Sequence, residues 1–132
     1  MKNNNFDYPD SFFDAVISFG VLYYLNRKDI LKAVSEIRRV LKDKGLALLV
    51  LRGEKDYRFG RGVEISKNTF RLSKIDKKYN ASKENKMIIH FFSQREIKEL
   101  FKDFRKVDID KQIISYNNQE IQDYDYVVTL EK

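Results

Sequence analysis

Two short apolar runs limit what this chain can fold into more than any other feature. Asp14-Ala-Val-Ile-Ser-Phe19 and Leu46-Ala-Leu-Leu-Val-Leu51 are continuous and rich in branched residues. That composition suits strands buried on both faces, as in parallel sheets. Between them Ile30, Val34, Ile37 and Leu41 recur at helical spacing, with Leu31 and Val40 widening the stripe. Asn26 reads as the N-cap of this helix and Asp29 complements its dipole. Lys42 and Lys44 stand near the expected end, with Gly45 as a left-handed terminator. Strand, helix, strand in this order makes a right-handed crossover.

Beyond Leu51 the pattern changes. Residues 53–88 carry Gly53, Gly60 and Gly62, many charges and only weak alternation around Val63–Leu72. The segment reads as a long excursion with room for a hairpin, and such insertions in compact domains commonly serve function. Order resumes at Ile88-Ile-His-Phe-Phe92. Ser93-Gln-Arg-Glu96 is a capping box flanked by Phe92 and Ile97 as a hydrophobic staple. Ile97, Leu100, Phe101 and Phe104 give the following helix one apolar face. Two alternating runs follow, through Val107–Ile114 and Tyr124–Leu130, and read as an antiparallel pair. The expected fold is α/β: about four strands, two parallel plus a C-terminal antiparallel pair, with two main helices. The 132 residues suit a single domain spanning 1–132.

Composition excludes several chemistries. With no cysteine there is no disulfide, thiolate nucleophile or cysteine-bound zinc, and one histidine rules out a multi-histidine metal site. No metal site is expected. Neither a signal peptide nor a bilayer-spanning run is visible, so a cytoplasmic protein without membrane contact is the expectation. The net charge of +6 is concentrated in residues 27–89, with 18 Lys and Arg against 8 Asp and Glu. These charges are interleaved, as on a solvated surface. With no basic-aromatic platform or groove-reading helix, nucleic acid is not the expected partner.

The entry Pro9-Asp10-Ser11-Phe12-Phe13-Asp14, the helix ending in Arg39-Val40-Leu41-Lys42 before an apolar strand, and the Ser93 capping box with two final strands occur in a telling order. Together they resemble the C-terminal half of class I S-adenosylmethionine-dependent methyltransferases. Arg58-Phe-Gly-Arg-Gly-Val-Glu-Ile65, Asn68-Thr-Phe70 and His90-Phe-Phe-Ser93 are similar to a branch with a substrate-side cap, which the excursion would form. The resemblance implies a Rossmann-like sheet whose last strand inserts antiparallel between its two neighbours. It also implies S-adenosylmethionine as cofactor and a small-molecule methyl acceptor.

By the same resemblance Ser18, Phe19, Gly20 and Tyr23 lie beside the methionine end of the cofactor. Tyr23 and Tyr24 would offer rings to a sulfonium. Packing at a strand end accounts for Ser18, Phe19 and Gly20 equally, and one core and one surface tyrosine is the plainer reading of Tyr23 and Tyr24. His90 is the one side chain suited to general-base work near neutrality, and a half-buried strand histidine with a backbone partner is its plainer reading. Tyr57, Arg61, Glu64 and Thr69 are the polar excursion residues that could select a substrate, or belong to a solvated loop. Arg38 and Arg39 read as the exposed side and end of the helix.

The family's glycine-rich loop and ribose-holding acid have no counterpart in this sequence. Gly60-Arg-Gly62 follows the wrong strand and opens no helix. The expectation is a truncated enzyme: methyltransferase by lineage, inactive by itself and binding the cofactor weakly or not at all. A non-catalytic binding or dimerisation module, or a gene remnant, is the alternative. Strand Asp14–Phe19 is then expected at the outside of the sheet, exposed to self-association or to a missing N-terminal half, unless Met1–Tyr8 folds across it.

Overall fold

The computed structural model describes residues 6–132. Strand β1 (Phe13–Phe19) leads through a 3-10 turn (Leu22–Tyr24) into helix α1 (Arg27–Val40) and strand β2 (Leu41–Arg52). The excursion holds β3 (Gly62–Ser66), β4 (Thr69–Leu72), a second 3-10 turn (Asn80–Glu84) and β5 (Ile88–His90). Helix α2 (Gln94–Leu100) and strands β6 (Lys106–Tyr116) and β7 (Ile121–Glu131) complete the chain. The main sheet has the order β1-β2-β7-β6. β1 and β2 are parallel, and β7 inserts antiparallel between β2 and β6. Beyond these four expected strands, β3, β4 and β5 form a second, antiparallel sheet inside the excursion.

Local chemistry explains the helix boundaries. The Asn26 side chain accepts from the Asp29 amide at 2.9 Å, closing the N-terminus of α1. Ser93 does the same for Glu96 at 3.1 Å at the start of α2. The return half of that capping box is absent, because the Glu96 carboxylate turns to His90 and Arg27. The end of α1 differs from expectation. Helix gives way to strand directly at Leu41, and Lys44, not Gly45, holds the positive φ of 65°. Gly45 is needed for close approach: a Cβ there would lie 2.7 Å from the Lys42 carbonyl oxygen and 3.2 Å from that of Asp14.

The main sheet is packed by the helices on one face and covered only at its Arg52–Asp125 end on the other. Residues paired across strands share a face, so Val16, Ala47, Leu130 and Val107 line one side with Leu49, Val128 and Ile109. Ile30, Ala33, Val34 and Ile37 of α1 and Ile97 of α2 belong to the same buried core. The other face carries Ile17 and Phe19, 72% and 71% exposed, beside the half-exposed Leu46 and Leu48. The expectation of strands buried on both faces fails here. Both helices pack on one side; on the other, no described element covers Ile17, Phe19, Leu46 and Leu48, while the excursion folds over the Arg52–Asp125 end. Leu31 is likewise half exposed, and Ala33 takes its place in the helix stripe.

Strand β1 is the outer strand, as expected. Met1–Asn5 lie outside the described residues. Phe6 bonds Glu36 through its amide and Arg39 through its carbonyl, while Ser11 and Phe12 bond the last carbonyls of α1. Residues 6–12 therefore follow the end of α1 instead of crossing the β1 edge.

Candidate functional site

Open α/β sheets bind ligands beyond the carboxyl ends of their parallel strands. Here that edge is formed by the ends of β1 and β2 and by the start of β7, which is held to Gly53 through the Tyr124 carbonyl at 2.8 Å. β1 runs out through Ser18 and the exposed Phe19 into Gly20, whose φ of +69° would strain any other residue. A Cβ on Gly20 would also stand 3.2 Å from the Tyr23 hydroxyl. The chain then tightens into the 3-10 turn and sends Tyr23 into the core.

Behind Tyr23 lies a buried ion cluster. The Arg52 guanidinium stacks on the Tyr23 ring at 4.4 Å, and Arg52 Nη2 donates to the Tyr23 hydroxyl at 3.3 Å. Thus the cation resting on this ring is Arg52. Around it, Asp56 and Asp125 lie 3.6 Å from Arg52 Nε, and Glu84 lies 3.8 Å from Nη1. These separations suit ion pairs but exceed hydrogen-bond lengths. Arg52 Nε, Arg52 Nη1 and Asp125 Oδ1 are buried with no hydrogen-bond partner among the described residues.

Arg58 is better served. Its Nη1 donates to Asp56 at 3.0 Å and Asp123 at 3.1 Å, and its Nε donates to Glu84 at 2.7 Å. Glu84 also accepts from the Tyr24 hydroxyl at 3.0 Å. Four carboxylates meet two guanidiniums in this cluster.

Titration follows from this crowding. Burial raises the Asp125 carboxyl above its ordinary range, outweighing the attraction of Arg52. Burial first, and the Glu84 carboxylate second, push Tyr24 up to about 12. Desolvation would lower Arg58, but Asp56 and Glu84 outweigh it and raise its pKa.

A cleft of about 230 Å³ opens beside the cluster, lined by Tyr57, Arg58, Tyr79 and Ala81 of the excursion and by Tyr116 and Asp123 of the last two strands. Of the four excursion residues proposed for substrate selection, only Tyr57 reaches it. Thr69 is fully buried, with its Oγ1 2.7 Å from His90 Nδ1. The Glu64 side chain accepts from the Asn68 amide at 3.0 Å in the β3–β4 turn. The Arg61 carbonyl accepts from Ser73 and Lys74.

His90 is buried, and both of its ring nitrogens are engaged: Nδ1 by Thr69, and Nε2 by Glu96 at 2.8 Å. A carboxylate only accepts, so Nε2 carries the proton toward Glu96; in the neutral ring Nδ1 then accepts from the Thr69 hydroxyl.

Sequence reasoning did not nominate Arg52, Asp56, Arg58, Glu84, Asp123 or Asp125. Two signals were present. An arginine closes an otherwise apolar strand at position 52, and period-2 alternation puts Asp125 opposite the buried faces of Tyr124 and Tyr126. Among the described residues no group of His, Asp and Glu is arranged to hold a metal ion, and no helix is long and apolar enough to cross a membrane.

Comparison with known proteins sets this fold beside known structures. Residues 2–49 match the family model of a methyltransferase domain. A methyltransferase structure from Methanosarcina mazei, S-adenosylmethionine-dependent by its description, is 20% identical with a TM-score of 0.71; the match covers 98% of this chain and 63% of that one. A possible histamine N-methyltransferase from Thermotoga maritima is 20% identical with a TM-score of 0.61, over 98% and 60% of the two chains. The 1,6-didemethyltoxoflavin-N1-methyltransferase of Burkholderia thailandensis, solved with 1,6-didemethyltoxoflavin and S-adenosylhomocysteine, is 14% identical with a TM-score of 0.60, over 98% and 47%. No curated protein sequence matches. The fold is that of S-adenosylmethionine-dependent methyltransferases, and the chain spans less than two thirds of each of these structures.

Proposed function

We propose that this chain forms the substrate-side part of an S-adenosylmethionine-dependent methyltransferase acting on a small molecule. The observation that carries the reading is the sheet order β1-β2-β7-β6 in a chain whose residues 2–49 match a methyltransferase domain. In this reading residues 1–132 are one domain and 53–88 cap the acceptor. Ser18, Phe19, Gly20 and Tyr23 border the methionine end of the cofactor, and Tyr57 faces the acceptor through its cleft. The bare backbone of Gly20 beside an exposed strand end fits that half of such a cofactor. The ribose half has less to hold it, because the one Gly-x-Gly, Gly60-Arg61-Gly62, runs into β3 instead of opening a helix.

When bound, the cofactor supplies a methyl group already activated for transfer. The chain's own work is then to orient the acceptor and exclude water, since alignment supplies much of the barrier reduction in a direct transfer. We assign His90 to bracing β4 and β5 against α2 and route no proton through it.

The test is titration of S-adenosylmethionine into the 132-residue chain, followed by calorimetry and amide chemical shifts. Millimolar or weaker affinity is expected. Each missing charge-assisted hydrogen bond costs about 1.5–3 kcal/mol, and about 4.1 kcal/mol separates micromolar from millimolar binding. Shifts confined to residues 18–23 support the reading. No shift there at millimolar cofactor overturns it, and low-micromolar affinity overturns the division of labour.

The bare edge of β1 favours a second reading, a non-catalytic module joined through Asp14–Phe19 to a second copy or to a polypeptide bearing further strands. Ala15–Phe19 carries no charge or proline to deter pairing. Sedimentation of the wild-type chain and of Ile17→Lys tests it. A concentration-dependent dimer that the lysine abolishes is expected; a wild-type monomer at high concentration overturns self-pairing.

A further inference from the structure

One segment over the cluster is held almost entirely by polar contacts. Between Asp76 and Asn85 the only buried residue is Ala81. Its backbone hydrogen bonds are local, running from Tyr79 to Asp76, Ser82 to Tyr79 and Asn85 to Ser82. Below it the chain is fastened by Asn85, which exchanges two hydrogen bonds with the Ile75 backbone, and by Lys86, whose amide bonds the Leu72 carbonyl. Above those anchors two polar attachments hold the segment down, and the Tyr79 ring packs edge-on against Tyr57 at 5.7 Å. Lys78 and Tyr79 both bond Glu120 in the β6–β7 turn. Glu84 reaches the other way, to the Tyr24 hydroxyl behind β1 and to Arg58 Nε.

What lies beneath is the under-bonded part of the molecule. Tyr79 and Ala81 line the cleft together with Tyr57 and Arg58, and Glu84 lies 3.8 Å from Arg52 Nη1, which like Nε has no hydrogen-bond partner among the described residues. Unsatisfied buried donors are costly, and hydration on opening relieves them. A segment with so little apolar burial belongs to the low-stability end of a fold, where local opening precedes global unfolding.

We propose that Asp76–Asn85 is a lid over the acceptor end of the site and that Glu84 is its latch. Only the identity of what lies beneath rests on the methyltransferase reading; the motion does not. Glu84 acts as a positioning residue, joining the exit of β1 at Tyr24 to Arg58 in the lining of the cleft. With the latch released, Arg52, Asp125 and Tyr23 face a larger cavity from which an acceptor can be oriented.

Native-state hydrogen exchange on the full chain tests this without any ligand. In the wild type the amides of Lys77–Asn85 should exchange through an opening that leaves β1, β2 and β7 protected. Glu84→Gln should accelerate that exchange by at least about tenfold, as expected for loss of a charge-assisted hydrogen bond, with the sheet amides unchanged. Tyr24→Phe, which removes one arm of the latch at a half-buried position, should accelerate it less. A second readout is the pKa of the Tyr24 phenol, which burial and Glu84 push up to about 12 and which should fall in Glu84→Gln. If Glu84→Gln does not fold, the wild-type and Tyr24→Phe exchange decide the matter. Exchange of 77–85 only through global unfolding overturns the lid, and unchanged rates in a folded Glu84→Gln or in Tyr24→Phe overturn the latch. Neither outcome bears on cofactor shifts at residues 18–23, so the two readings fail separately.

Discussion

Two buried polar regions of this molecule face each other in chemistry. Around His90 each donor meets an acceptor: Thr69 on one ring nitrogen, Glu96 on the other, with Ser93 and Arg27 completing the shell. Around Arg52 three carboxylates stand at ion-pair distance, yet two guanidinium nitrogens and one carboxylate oxygen lack hydrogen bonds. A satisfied network rigidifies a core, whereas a half-satisfied one is costly and persists where something else is gained. The histidine, which looked chemical in the sequence, joins β4 and β5 to α2. The arginine, which looked like the end of a strand, stands at the edge where this fold takes its ligands.

The largest expected effect comes from removing the cation of the unfinished cluster. Arg52→Met leaves four carboxylates around Arg58 alone, and stripping one partner from a buried ion pair costs about 3–5 kcal/mol. Urea unfolding should show that loss; a change under about 1 kcal/mol would mean that the cluster is hydrated and only loosely coupled.

His90→Phe sharpens the other side of the comparison. It keeps the aromatic volume but leaves the buried Thr69 hydroxyl with only its long 3.4 Å bond to the Lys67 carbonyl, at a cost of about 1–3 kcal/mol. In a double-mutant cycle, adding Thr69→Val should recover part of the loss. Strict additivity would deny the finished network its cooperativity.

Asp125→Asn should produce the smallest change, with the opposite sign. Burial raises the folded pKa of Asp125. The group therefore favours the fold most below its unfolded value of about 3.9, and that contribution is lost as pH rises through the folded value. Asparagine avoids the loss. Near neutrality the variant should be more stable than wild type, and the two should converge in acid. Melting temperatures across pH check both the sign and the window; a variant less stable at neutral pH would show that Arg52 depends on this carboxylate.

Much of the fold was legible because it is written in local rules. The runs at Asp14–Phe19 and Leu46–Leu51, the caps at Asn26 and Ser93 and the alternation in the last two strands each act within a few residues, and each forms where expected. Of the candidate site, the sequence offered Ser18–Gly20 and Tyr23, which follow from a strand end, and Tyr57, which lines the cleft.

The rest depended on distant partners. Arg52, Arg58, Glu84 and Asp123 come from four separate stretches of chain and meet only because β7 inserts beside β2 and the excursion folds back over both. Burial on both faces of β1 and β2 could not be judged from apolar content either, since Ile17 and Val16 are alike in sequence and differ only in which side the helices cover. The sequence by itself determined the order and type of the elements, because backbone propensity, capping and periodicity are short-range. Which buried polar groups are satisfied and which are left waiting was decided by tertiary structure, because hydrogen bonding and desolvation depend on what arrives from elsewhere in the chain.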